Sequence, residues 1–351
     1  MQKMRANSKK IFTDLGFSVL AILLAFFIGG VLIALVGESP LKAYGTMFGG
    51  AFGTPKAIAN TISKSVPLMF TGLAVAVGSR SGVFNIGAEG QVHMGAMAAA
   101  LIGFLLPSLP APLLLILVFA GGLGASMAFG AIPGWFKAKL GTSEVIVCIM
   151  MNYIGILFTS YLCNYPFKEE GGISQTPFIA ERIQFGALTK GSQLTATIFI
   201  ALATALFLYW FMWKTRAGFE LRAVGENPSA ARSAGINPTS KTIQAMALSG
   251  GVAGLAGICE VVGRYNRFVE GFSPSFGFTG IAVAILGQNH PAGVILTALL
   301  FGAMDAGALK MSRVTDISSK MVMVIQGLVV IFVAAPHMFR FLSSIRGKEK
   351  A

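Results

Sequence analysis

Long runs of apolar residues dominate the chain. The first run, 15–36, reads LGFSVLAILLAFFIGGVLIALV and contains no ionisable side chain. A helix needs about 20 such residues to cross the hydrocarbon core of a bilayer. Lipid offers no partner for backbone N–H and C=O groups, so a spanning segment of this kind must be helical. A transmembrane β-barrel would show short alternating stretches instead. The pattern predicts an all-α, polytopic transmembrane helical bundle.

The apolar runs predict about eight to ten spans across one transmembrane domain, residues 1–351. The predicted spans are 15–37, 57–78, 84–106, 111–136, 144–164, 193–213, 243–263, 276–288, 291–309 and 320–342. The eighth is too short to cross comfortably and follows Pro274. It is therefore either a half-span or a re-entrant piece.

Charge in the loops orients the predicted bundle. Lys and Arg collect in the loops after the fourth and sixth spans, which indicates that these loops are cytoplasmic. Both termini then face the cytoplasm, and the protein is a multi-pass protein of the cell membrane. Two loops are long: an extracellular one over about 164–193, expected to form a small ordered cap, and a cytoplasmic one over about 214–242.

Composition excludes several other classes. The chain is 54% hydrophobic and only 12% charged, where a soluble domain carries about 25% charged residues. The net charge of +13 does not indicate nucleic-acid binding, because the basic residues sit at the ends of apolar runs rather than along one face. There is no GxxxxGK[ST], HExxH or GxSxG sequence and no Cys/His cluster. We therefore expect no catalytic residue, metal site or cofactor in this chain.

The cytoplasmic loop contains the pattern of a short capped helix. Asn227 suits the N-cap, Pro228 suits the first helical position, and Gly235 with the following Asn-Pro ends the helix. The loop is expected to open with a polar turn before this helix. A helix so short is not stable alone, so it either docks on a partner or lies on the lipid surface as a linker.

The third span carries polar residues at helical spacing. Asn85, Glu89 and His93 recur at i, i+4 and i+8 and are expected to share one helix face, with Gln91 on another. An ionisable residue at membrane depth normally faces a cavity or a partner. Two alternatives stay open: the segment bounds a translocation pathway near its cytoplasmic end, or Glu89 pairs with Arg80 or a loop amide as a structural clamp.

Three further residues are candidates for the pathway. Asn152 lies in mid-span, where it either bonds a ribose hydroxyl or base edge, or ties two helices together. Phe276 and Phe278, beside the short eighth segment, either stack on a nucleobase or pack against helices and lipid.

Four segments carry a resemblance to a known family. They are GENPSAARSAGI at 225–236, VGSRSGVFNIGAEGQ at 77–91, VCIMMNYI at 147–154 and GFTGIAVAILG at 277–287. Together they resemble the ABC importer permeases for simple sugars and nucleosides, in the branch that pairs with basic-membrane-protein-type binding lipoproteins. The resemblance runs from about residue 60 to the C-terminus.

The resemblance implies a division of labour. Two permease subunits, identical or paralogous, form the pathway for the small-molecule substrate; cytoplasmic ABC ATPases hold ATP and Mg²⁺; an extracellular lipoprotein delivers the ligand. Nucleosides are the expected substrate class, and ribose or another simple sugar is the alternative. In such loops a pair of alanines and a following glycine fit a groove on the ATPase. The residues expected to couple to the ATPase are Glu226, Asn227, Pro228, Ala230, Ala231, Arg232, Gly235 and Ile236.

A rival from another class is an ion-coupled secondary transporter, which would also be helical with broken helices near the midplane. It would not need the capped cytoplasmic loop, and it would usually carry a more convincing ion site.

Overall fold

The computed structural model describes residues 23–332, and this part of the chain is helical. The elements, in chain order, are α1 (Leu23–Leu35), α2 (Pro40–Phe52), α3 (Pro55–Arg80), α4 (Ala88–Leu105), α5 (Ala111–Leu140), α6 (Glu144–Asn164), α7 (Thr197–Lys214), α8 (Arg216–Glu226), α9 (Pro228–Ser233), α10 (Pro238–Glu260), α11 (Phe276–Leu286), α12 (Pro291–Val314) and α13 (Lys320–Phe332). A π-helical turn, Val261–Tyr265, continues α10. The prediction of an all-α fold is confirmed.

Fewer helices could cross a membrane by length and composition than the eight to ten spans predicted. Within 23–332 there are six, or seven if α1 and α2, bent by 120° at their junction, form one broken span. The predicted third span starts late, because 81–87 is not helical and α4 begins with polar residues. Parts of the predicted first and last spans, 15–22 and 333–342, lie outside the described residues, as do both termini.

The described chain falls into two compact units. The larger unit, 62–302, has α4 and α10 at its centre. Of the most apolar 18-residue window of α10, 83% is buried, against 28% for α6 and for α7. Small residues permit the close packing of α5 on α10: a Cβ at Gly250 would lie 2.6 Å from the Ser126 carbonyl oxygen and 3.0 Å from the Gly130 Cα. The outward apolar faces of α6 and α7 are suited to lipid.

The smaller unit combines 23–61 with the residues from 303 onward. The Tyr44 hydroxyl donates to the Phe26 carbonyl at 2.6 Å and so joins α2 to α1. Gln326 donates to Asp305 at 2.9 Å, which links α13 to α12. A Cβ at Gly50 would meet Lys310 at 2.7 Å, so α2 and α12 also pack closely.

The long loop between α6 and α7 is ordered, as predicted. It pairs with the segment after α10 through an isolated bridge between Gln175 and Val269. The Thr176 amide donates to Phe268 at 3.0 Å, and an ion pair joins Arg267 to Glu169. The loop therefore forms a cap over residues 262–270.

The prediction of a polar turn at the start of the 214–242 loop is wrong, because that stretch forms the helix α8. The Thr215 hydroxyl caps α8 by accepting from the Gly218 amide at 3.1 Å. Leu221 and Val224, three residues apart, are buried on one face. This buried apolar face, in a segment that otherwise carries charged residues, stabilises a helix here.

Residues 276–288 begin with an 11-residue helix, α11, which at 1.5 Å per residue covers about half of a bilayer core. Its far end lies beside the end of α3: Arg80 donates to the carbonyls of Gln288 and Asn289 at 3.0 and 3.1 Å. Gln288, Asn289 and the residue before α11, Ser275, all have positive φ. The helix is thus a half-length element between two sharp turns, which agrees with both alternatives, a half-span and a re-entrant piece.

Candidate functional site

A cavity of about 320 Å³ lies within the larger unit, which is the size of a small-molecule site. Its walls come from α4, from the C-terminal half of α6, from the 266–275 loop and from α11. The lining residues are Glu89, His93, Ile156, Leu157, Thr159, Ser160, Phe268, Glu270, Gly271, Ser273, Ser275 and Phe278.

Glu89 joins the first turn of α4 to the first turn of α11. Its Oε2 accepts from the Gly277 amide at 2.6 Å, an unpaired donor at a helix N-terminus where a carboxylate is favourable. The contact is close because Gly277 has no side chain: a Cβ there would lie 2.7 Å from the Glu89 Cα. Glu89 is 3% exposed, so this bond gives a buried carboxyl group a partner.

His93 lies one turn further along the same face of α4. Its Nδ1 carries the hydrogen in a 3.0 Å contact with the Glu89 carbonyl oxygen, since a carbonyl only accepts. The ring lies 5.0 Å from the ring of Phe272 and 6.4 Å from that of Phe268. The expected pairing of Glu89 and His93 on one face is therefore found.

Asn85 does not share that face, and this part of the prediction is wrong. Asn85 precedes α4, in the non-helical segment 81–87, so helical spacing does not apply to it. It is fully buried and donates to Gln91 and to Ser249, each at 2.7 Å. Ser249 in turn donates to the Ala74 carbonyl at 2.6 Å. Asn85 and Gln91 thus tie the segment to α3 and α10, away from the cavity lining.

Asn152 is a tie between helices rather than a lining residue. Its Oδ1 accepts from the Gly90 amide at 2.8 Å, and its Nδ2 donates to the Ile86 carbonyl at 2.9 Å. Both bonds satisfy backbone groups that would otherwise be buried without partners.

The Asn152 contacts also correct the expected depth of Glu89. Asn152 lies eight residues into α6, about 12 Å from the start of that helix at 1.5 Å per residue. At that start, Glu144 contacts Lys137 at 2.5 Å, and Lys137 donates to the Gly82 carbonyl. The segment 81–87 therefore leads from this end of the bundle toward its middle, and Glu89 does not lie near the predicted cytoplasmic end.

The alternative of an ion pair between Glu89 and Arg80 is wrong as well. Arg80 donates to the carbonyls after α11, whereas Glu89 accepts an amide at the other end of that helix. The expected hydrogen bond between Glu89 and a backbone amide does form. The amide belongs to α11, however, and the contact lies in the middle of the bundle.

The two phenylalanines separate. Phe278 lines the cavity and is 46% exposed, whereas Phe276 is 6% exposed and points into the packed interior. The residues missed by the sequence reasoning include Ser160 and Glu270. No local pattern marks them, because they meet only when the 266–275 loop folds back on α6.

The predicted coupling helix forms as α9. Asn227 accepts from the amides of Ser229 and Ala230, each at 3.0 Å. Gly235 has φ +80°, and the Ile236 amide returns to the Ala231 carbonyl at 3.0 Å, which closes the helix. The N-cap and the glycine stop are confirmed.

Most of the expected coupling residues are available at the surface. The exposed ones are Glu226, Asn227, Pro228, Ala230, Arg232 and Gly235. Ile236 is partly buried, and Ala231 is only 4% exposed because it faces the protein's own interior. Of the alanine pair, Ala230 alone presents its side chain for docking.

Direct backbone contact joins α8 to the segment that leads into the cavity. A Cβ at Gly225 would lie 2.6 Å from the Arg80 carbonyl oxygen and 2.7 Å from the Gly82 nitrogen. The backbone of α8 at Gly225 therefore packs on 80–82 without any intervening side chain.

Comparison with known proteins gives consistent matches. A family model described as "Branched-chain amino acid transport system / permease component" matches residues 57–334. The guanosine ABC transporter permease protein NupP of Bacillus subtilis (strain 168) is 35% identical over 342 residues, 95% of this chain and 95% of that protein.

Two further relatives differ in their named substrates. The nucleoside ABC transporter permease protein NupB of Lactococcus lactis subsp. cremoris (strain MG1363) is 33% identical over 94% of this chain and 92% of its own length. The glucose ABC transporter permease protein TsgB13 of Haloferax volcanii is 32% identical over 93% of this chain and 88% of its own length.

Proposed function

Since this chain belongs to the family of branched-chain amino acid transport system permease components, and is thus a multi-pass ABC transporter permease, we propose that it imports nucleosides. The observation that carries the substrate class is the 35% identity, over 95% of both chains, to a permease named for guanosine. The family's printed name describes a wider group, as the glucose permease among the relatives illustrates.

The cavity supports this proposal by its chemistry. Carboxylates accept hydrogen bonds only, and hydroxyls both donate and accept, so Glu89, Glu270 and Ser160 suit the hydroxyls of a ribose. The exposed ring of Phe278 offers a surface on which a base can stack. We assign this cavity to the translocation pathway.

The surface of α9 supports a role in coupling. Its exposed face carries Ala230 and Arg232, and the adjacent Gly225 touches 80–82. We assign this face to the cytoplasmic ATPase, whose closure would shift α8, then 81–87, and then the start of α4. ATP binding then biases which arrangement of the cavity is populated. A second permease and an extracellular binding lipoprotein complete the proposed transporter.

The test is uptake of labelled guanosine, uridine and ribose by cells with and without the gene, before and after ATP depletion. We expect deletion to abolish ATP-dependent nucleoside uptake and leave ribose uptake unchanged. Loss of ribose uptake alone would assign the protein to sugars. Uptake that follows a proton or sodium gradient and ignores ATP would support the secondary-transporter alternative and overturn the proposal.

A matched pair of variants tests the coupling face. Ala230→Arg adds a long charged side chain on the exposed side of α9, so uptake should fall at least about tenfold while the amount of folded protein stays the same. Lys190→Glu changes an exposed residue of the 164–193 loop and should leave uptake intact. Normal uptake by Ala230→Arg would show that this face does not dock the ATPase.

A further inference from the structure

Apart from the imidazole of His93, the ionisable groups that line the cavity are carboxylates. Glu89 comes from α4 and Glu270 from the 266–275 loop, and the lining contains neither Lys nor Arg. The arginines near this loop are paired with other carboxylates, Arg264 with Glu260 at 3.4 Å and Arg267 with Glu169. The cavity therefore carries negative potential, which low-dielectric walls concentrate.

Glu270 is held in place by α6. The Asn164 side-chain amide donates to its Oε2 at 2.9 Å, and the Ser160 hydroxyl donates to its Oε1. These hydrogen bonds, from Asn164 and then from Ser160, lower the pKa of Glu270 below its ordinary value. The carboxylate is thus ionised at neutral pH. Glu270 lies beside Ser160 in the wall of the cavity. Glu89 instead contacts the first turn of α11.

We propose that Glu270, together with Glu89, makes this cavity a charge filter that admits neutral and cationic solutes bearing hydrogen-bond donors and excludes anions such as phosphorylated nucleosides. A nucleoside donates hydroxyl and N–H groups to these acceptors, whereas a phosphate meets two carboxylates. At separations of about 6 Å in a partly hydrated site, each carboxylate changes the occupancy of a unit charge by about tenfold. The inference rests on the proposed function only in taking this cavity as the route of the substrate.

A direct test measures the charge preference of the cavity without any substrate. Leu157 lines the cavity from α6 and is 66% exposed, so Leu157→Cys places a thiol there. The native Cys148, Cys163 and Cys259 are buried, and the parent protein gives the background. In the assembled transporter, the thiol is labelled with a cationic and with an anionic methanethiosulfonate of similar size. Leu188→Cys, an exposed position outside the lining, normalises the two reagents.

We expect the cationic reagent to react at Leu157→Cys at least about a hundredfold faster than the anionic one, after normalisation. Each carboxylate favours the cation and disfavours the anion by about tenfold, so adding Glu270→Gln should reduce that ratio about a hundredfold. Glu170→Gln, which removes an exposed carboxylate outside the lining, should leave the ratio unchanged. Phe278→Cys serves as a second probe, on the part of the wall that α11 provides.

Equal rates for the two reagents, a ratio unaffected by Glu270→Gln, or no cationic labelling at either probe position would each overturn the filter. These outcomes are separate from the fate of the proposed function. A strong cationic preference in a protein that fails to import nucleosides would support the charge filter and contradict the proposed nucleoside substrate. Nucleoside uptake without the preference would do the reverse.

Discussion

The start of α4 and the α8–α9 loop are built from the same kinds of residue, small and polar, yet they follow opposite rules. Around the start of α4, Asn85, Glu89 and Asn152 are each at most 3% exposed, and each bonds to a different helix or segment. In α8–α9, Asn227 is exposed, and its side chain bonds to the next turn of its own helix.

The difference has a physical origin. A buried polar group without a partner costs about 1–3 kcal/mol, and Asn85, Glu89 and Asn152 avoid that cost through partners elsewhere in the fold. An exposed cap can exchange its partner for water at small cost. The region around α4 is therefore fixed by long-range contacts, whereas the N-cap of α9 is fixed by hydrogen bonds within its own helix. Substitutions near α4 should therefore lower the stability of the whole protein more than substitutions in α8–α9.

The largest effect is expected where backbones touch. Gly277→Ala would force its Cβ against the backbone of Glu89 and Ala88, with the Ala88 carbonyl carbon at 2.8 Å. Neither backbone can yield without moving α4 or α11, so we expect a loss of about 3 kcal/mol. Thermal unfolding of the purified protein in detergent should show a large drop in Tm, together with poor expression.

Gly124→Ala is the matched control, because it also lies in a helix but nothing lies within 4 Å of its added Cβ. It should be neutral or slightly stabilising. If the two alanine variants unfolded at the same temperature, the close approach of α11 to α4 would be wrong.

An intermediate loss of stability is expected from substitution of the asparagines. One of them lies in each region, so the two variants compare the regions directly. Asn152→Leu keeps a similar volume but leaves the Gly90 amide and the Ile86 carbonyl unpaired, which should cost about 2 kcal/mol. Asn227→Ala removes a cap worth about 1 kcal/mol to α9 alone. Global unfolding should therefore shift in the first variant and hardly in the second.

Amide hydrogen exchange measures the local stability of each helix and so complements the measurement of global unfolding. Amides of α9 should exchange faster in Asn227→Ala, while those of α4 remain protected. Equal shifts in Tm for the two asparagine variants would mean that the α8–α9 loop is part of the global folding unit, and the contrast between the regions would be lost.

The same contrast explains what the sequence could predict. The N-cap at Asn227, the stop at Gly235 and the apolar spans depend on neighbours within a few residues, so local patterns predict them. Glu89 was found because a carboxylate in an apolar run is conspicuous. Its partner, the amide of Gly277, is 188 residues away and carries no signal of its own.

Failures of prediction have the same cause. Asn85 fits a helical repeat with Glu89, but the segment 81–87 is held out of helix by bonds to Ser249 and Gln91. Glu270 belongs to a polar loop in the sequence and becomes a wall residue only because Ser160 and Asn164 receive it. Ala231 fits a docking motif, but its side chain packs inward. In each case a tertiary contact overrides the local pattern.

The smallest effect is expected from the ion pairs of α8. Glu220 accepts from Lys241, at the start of α10, and from Arg216, each at 2.9 Å. These contacts, first with Lys241 and then with Arg216, lower the pKa of Glu220 below its ordinary 4.5. A carboxylate with a lowered pKa stabilises the folded form above that ordinary value, and the contribution is lost as the pH falls through the folded-state pKa.

Glu220→Gln should therefore raise the exchange rate of α8 amides slightly at pH 7, relative to the parent protein at the same pH. The difference should vanish as the pH is lowered below the pKa of Glu220, because the parent then loses the same charge. Glu226→Gln, at the exposed end of α8 and in no ion pair within residues 23–332, should show no such pH-dependent difference. A difference that grows toward acid pH would reverse the sign expected for a depressed carboxylate pKa. Equal exchange rates in Glu220→Gln and the parent protein at pH 7 would mean that α8 is held by its buried residues, such as Leu221 and Val224, rather than by charge.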